Sequence, residues 1–97
     1  MKGNRNEGGF KNMNRFPKKA DDLEINTVED GYAIYQRDRD RIHYLNHTAA
    51  LVFEQCDGKT AVGEIPKMIK ELFGLPEPPE KDVKECLDSM FKEHILV

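Results

Sequence analysis

The chain has 97 residues, 38% hydrophobic and 34% charged, with a formal net charge of −3. This is the composition of one small soluble domain with a modest core, and the longest apolar run is too short to cross a bilayer. Residues 1–22 hold six basic and three acidic side chains and the remainder nine basic and fifteen acidic, so the body is acidic and ill suited to nucleic-acid phosphates.

Residues 1–22 are rich in Gly, Asn and Lys, with isolated Phe10 and Phe16 and no helical or strand period. They read as a disordered basic tail ahead of a domain over 23–97. Ile25–Val28 is short and β-branched, and Glu29-Asp30-Gly31 follows as a turn. Tyr32–Gln36 alternates as a second strand, Arg37-Asp38-Arg39-Asp40 is a polar turn, and Arg41–Leu45 is a third strand. Three strands joined by tight turns predict an antiparallel meander.

Asn46 can cap a helix over about 47–56, where Ala49, Val52, Phe53 and Cys56 form one apolar stripe. Asp57-Gly58 ends it, and Thr60 is the next candidate cap. Val62, Ile65, Met68, Ile69 and Leu72 mark a second helix over about 61–73. Pro66 lacks an amide hydrogen, which predicts a kink or a late start there. Gly74 stops that helix, and 75–79 is a Pro-rich connector.

A third helix over about 80–93 opens on acids. Its Val83, Cys86, Leu87, Met90 and Phe91 span roughly 140° of arc, wider than the ~100° one core contact needs. The surplus either forms a binding surface or packs on the sheet and Ile95-Leu96-Val97. The expected class is α+β, three antiparallel strands followed by three helices, in a winged helix-turn-helix-like order.

Little in the chain is arranged for catalysis. Cys56 and Cys86 read as reduced thiols of a cytoplasmic protein. His43, His47 and His94 are scattered without ligand spacing, so neither metal nor cofactor is expected, and no enzyme activity. The alternative reading is a winged-helix DNA-binding regulator. Against it, the third helix sets Glu80, Asp82, Glu85, Asp88 and Glu93 against Lys81, Lys84 and Lys92, where a recognition helix should be basic.

Leu45-Asn46, Thr48-Ala49-Ala50, Cys56-Asp57-Gly58, Thr60-Ala61-Val62, Glu64-Ile65, Asp82-Val83 and Leu87 together resemble the coenzyme PQQ synthesis protein D (PqqD) family. The resemblance covers about 25–97. It implies a RiPP recognition element: a non-catalytic peptide chaperone that binds the leader of a ribosomally made precursor peptide and delivers it to a modifying enzyme, typically a radical S-adenosylmethionine maturase. The basic segment is additional to the family pattern and the strand region is shorter than in PQQ-pathway members, which points to another peptide-modifying system.

In such domains the leader adds as a strand to the third strand and packs on the third helix. Carried to this chain, the resemblance implies a site of Arg41, Ile42, His43, Tyr44 and Leu45 with Val83, Lys84, Leu87, Met90 and Phe91. Strand addition agrees with an exposed sheet edge, whose unpaired backbone groups supply affinity. Arg37, Arg39 and Arg41 flank that edge, where they either meet an acidic leader or stand as solvated turn charges.

Overall fold

The computed structural model describes residues 15–97. Strands β1 (Leu23–Val28), β2 (Gly31–Gln36) and β3 (Arg41–Asn46) pair antiparallel in that order. β1 and β3 are therefore the two edges. Val28 lies opposite Gly31, and Gln36 opposite Arg41. The strand period then puts Tyr32, Ile34, Gln36, His43 and Leu45 on one face, and Ala33, Tyr35, Ile42 and Tyr44 on the other.

Gly31 is dictated by a close approach. A Cβ there would lie 1.9 Å from the Leu45 carbonyl oxygen, and its φ is +153°. Only glycine lets β2 begin so near the end of β3. At the other end of the hairpin, the 3-10 turn Arg37–Arg39 finishes on Asp40 in the left-handed region, and the Tyr35 hydroxyl donates to its carboxylate at 2.9 Å.

Helices α1 (His47–Glu54), α2 (Ile65–Phe73) and α3 (Glu80–Lys92) follow, with α1 touching β2, β3 and both other helices. The Asn46 side chain accepts from the Ala49 amide at 2.8 Å, the expected cap. α1 stops at Glu54, two residues before the sequence suggests. The chain then turns around Asp57, whose carboxylate accepts from the amides of Lys59 and Thr60 at 2.8 Å each. Thr60 caps no helix; its hydroxyl donates back to Asp57. A 3-10 turn, Val62–Glu64, leads into α2, with Pro66 in the first helical turn. There its missing N–H forfeits no bond, so α2 starts late rather than kinking.

Ile34, Val52, Phe53, Cys56, Ile65, Ile69, Val83, Leu87 and Met90 form the core with Ile95 and Leu96. Each large apolar side chain so buried contributes about 1.5–3 kcal/mol. Cys56 and the end of α3 are thus core elements.

The segment ahead of β1 departs from the expected tail. Pro17 is buried, and its carbonyl accepts from the Gly58 amide at 2.9 Å. Lys18 exchanges two backbone bonds with Val97, at 3.1 and 2.8 Å, and the Ala20 amide donates to the Ile95 carbonyl. Lys19 sits 5.3 Å from the Phe53 ring centroid and 3.9 Å from Glu54. Residues 18–20 therefore pair with the C-terminus, because Ile95 and Leu96 enter the core and leave that backbone needing partners. The rest of the expected tail, 1–14, lies outside the described residues. Among the described residues no helix is long and apolar enough to cross a membrane.

Candidate functional site: the groove between β3 and α3

β3 and α3 lie side by side and run in opposite directions. At one end Arg41 and His43 meet Glu93, at 3.6 and 4.0 Å. At the other, Tyr44, Leu45 and Asn46 face Asp82, Glu85 and Cys86 across an open groove of about 520 Å³. Thr48 and Ala49 of the first turn of α1 complete the lining, with Ser89 and Met90 of α3. As an edge strand, β3 sends the amides and carbonyls of alternate residues outward without ladder partners. Ile42 and Tyr44 stand off its outer face, 56% and 75% exposed.

A buried polar link holds the closed end. Gln36, 2% exposed, donates from Nε2 to the His94 carbonyl at 3.1 Å. Its Oε1 lies 3.0 Å from His43 Nε2. With the Gln36 nitrogen committed to His94, its oxygen must accept, so His43 carries its proton on Nε2. His43 Nδ1 is left facing Glu93. One side chain thereby ties β2, β3 and the end of α3.

The expected site residues divide. Leu45 and Met90 line the groove, Tyr44 borders it along the strand with its side chain off the outer face beside Ile42, and Arg41 and His43 stand at its Glu93 end. Val83 and Leu87 are 1% and 0% exposed and belong to the core. They present no surface to a ligand, and a Leu87→Asp change tests the core before it tests binding. Phe91 is half-buried against the core, and Lys84 pairs with Asp88 at 3.0 Å. At about 100° per residue, Lys84 and Phe91 fall on the flank of α3 away from Cys86 and Ser89. Sequence reasoning missed Asn46, Thr48, Ala49, Asp82, Glu85, Cys86 and Ser89 as lining. The helical period does gather Asp82, Glu85, Cys86 and Ser89 on one flank, but only packing decides which flank meets β3.

Neither thiol is poised for chemistry. Burial pushes the Cys56 thiol up to about 12. Burial also raises Cys86, with the charges of Asp82 and Glu85 adding to it. Both stay protonated and weakly nucleophilic near neutrality. Among the described residues no three His, Cys, Asp or Glu side chains are placed to hold a metal.

Other hollows compete, among them one of about 480 Å³ along the connector and first turn of α3, at residues 77–82, and two beside the sheet. Of these two, one of about 260 Å³ lies between the β1–β2 hairpin and α1, beside Val28, Tyr32 and Leu51. The other, about 590 Å³, is walled by Asp21, Asp22, Asp38 and Arg39 and has His94 at its rim. The β3–α3 groove has twice the volume of the hairpin hollow and, unlike the one walled by Asp21 and Asp22, runs along a strand edge.

No curated protein and no solved structure matches the chain. The family model for coenzyme PQQ synthesis protein D (PqqD) matches residues 31–96, which takes in β2, β3, the three helices and both walls of the groove. The chain belongs to the PqqD family.

Proposed function

We propose that the protein is a non-catalytic adaptor that binds the leader of a ribosomally made precursor peptide and presents it to a modifying enzyme, a radical S-adenosylmethionine maturase. The leader adds as a fourth strand along β3. Its inward side chains enter the groove against Leu45, Cys86 and Met90, and its outward ones lie beside Ile42 and Tyr44. Backbone pairing supplies affinity with little demand on sequence, and the groove reads every second side chain.

The observation that carries this reading is the free edge of β3 running beside an open, partly apolar groove. Family membership supports a role in peptide-derived cofactor or natural-product synthesis. The test is an NMR titration of the labelled chain with the leader of a precursor encoded beside its gene, and in parallel with duplex DNA at moderate salt. The expected result is micromolar or tighter leader binding, with amide shifts over 41–46 and along the Cys86 flank of α3. Shifts confined to β1 would move the site. Tight DNA binding with a steep salt slope would overturn the function.

A further inference from the structure

The groove has a charge of its own. Asp82 and Glu85 stand one turn apart on its α3 wall, and none of the residues lining it is basic. Neither carboxylate pairs with a cation among the described residues. The neighbouring arginines are differently placed: Arg41 lies 3.6 Å from Glu93, and Arg37 4.0 Å from Glu24. The floor between is uncharged, made by Leu45, Ala49, Cys86 and Met90. An acid at Asp82 also suits the first turn of a helix, but Glu85 lies beyond that turn, where the dipole offers little. The charges of both carboxylates are felt at Cys86, inside the groove. The acidic wall therefore borders the space that an added strand would fill.

Spacing adds a pattern to the charge. Cys86 and Met90 are about 6 Å apart along the helix axis, and Asp82 and Met90 about 12 Å, at 1.5 Å per residue. Inward side chains of an added strand recur about every 6.6–6.8 Å. One such side chain thus falls at the Asp82–Glu85 wall, the next near Cys86, and the next near Met90. β3 runs from the Glu93 end toward the Asp82 end, so an antiparallel addition, the commoner pairing, enters at the acids.

We propose that the groove selects a cationic leader strand, with a Lys or Arg at the Asp82–Glu85 wall followed at every second residue by two apolar side chains for Cys86 and Met90. This rests on the leader-binding reading above and specifies its ligand. It stands against the acidic leader, one of the two alternatives open for Arg37, Arg39 and Arg41, and leaves them as turn charges.

Three capped peptides test it. They share an alternating Thr-Leu core and differ at one inward position, N-terminal to two Leu, which holds Lys, Gln or Glu. Each is titrated into the full chain by NMR up to millimolar concentration, at low and high salt. The Lys peptide should bind about tenfold more tightly than the Glu peptide at low salt, with Gln between, since two partly screened charge contacts are at stake. High salt should shrink the difference. An Asp82→Asn/Glu85→Gln chain should bind all three alike, and an Asp82→Lys/Glu85→Lys chain should reverse the order. These side chains are exposed, and far-ultraviolet circular dichroism checks that each variant folds. Equal affinities with β3 amide shifts in every case would overturn charge selection and leave strand addition standing. No shift along β3 with any peptide would overturn both. Binding that appears only after removal of residues 1–14 would assign the groove to the chain's own Lys2, Arg5 and Lys11 segment, and would overturn the proposal as stated.

Discussion

Gln36 and His43 meet 3.0 Å apart across the β2–β3 pair although they are not opposite one another in register. His43 is opposite Ile34, and Gln36 opposite Arg41. The contact is a diagonal one on the inner face, within reach because both side chains are long enough to span the offset. It matters because Gln36 also holds the carbonyl of His94, the residue that turns the chain out of α3. The edge strand and the end of the facing helix are fixed by one amide.

Replacing Gln36 by alanine should therefore cost about 2–4 kcal/mol. A cavity is opened and two polar partners lose their bonds. Urea denaturation followed by circular dichroism measures it. A loss below about 0.5 kcal/mol, the range of an ordinary surface change, would show that the link contributes nothing.

Removal of residues 1–20 should lower the melting temperature by several degrees. Three backbone bonds to Ile95 and Val97 and the burial of Pro17 disappear together. At about 1 kcal/mol per bond, the shift for a domain of this size exceeds 5 °C by a rough scaling. An unchanged melting temperature would mean that the N-terminal pairing is marginal.

The two cysteines should separate on alkylation. With its thiol at about 12 and its side chain in the core, Cys56 should resist iodoacetamide at pH 8 in the folded chain. Cys86, half-buried in the groove wall, should label slowly. Mass spectrometry should find one adduct, and two after denaturation. Bound leader should protect Cys86. Labelling of Cys86 at an unchanged rate in the presence of saturating leader would count against the groove as its site.

Asp57 should make stability depend on acid pH. The amides of Lys59 and Thr60 hold its carboxyl below the ordinary value of 3.8. A depressed folded value stabilises above the unfolded one and is lost as pH falls through the folded value. The stability gap between the native chain and Asp57→Ala should be full at neutral pH and narrow below about pH 4. An Asn variant, which can keep both amide bonds without titrating, should show no such narrowing. Denaturation at pH 7 and pH 3 separates the three chains.

The local chemistry of this chain was legible from its residues. Strand alternation, the Asn46 cap, the Gly74 stop and the late start at Pro66 each follow from neighbours within one turn or one pleat. Family membership was legible too, because its motif is made of those same local signals. Most element ends moved by one or two residues and the start of α2 by four; α1 yields at Glu54 to the Asp57 turn, and Pro17 and Lys18 engage that turn from the other side.

Tertiary structure alone decided which flank of α3 becomes a surface. The stripe of Val83, Cys86, Leu87, Met90 and Phe91 is too broad for one contact, and the sequence is silent on which margin faces β3. Packing buries its centre, turns Cys86 toward the strand and Phe91 away from it, and so brings Asp82 and Glu85 to the groove. A helical period fixes the angles between residues but not the rotation of the helix about its own axis. That rotation is set by packing against α1 and α2, through contacts between residues far apart in the chain.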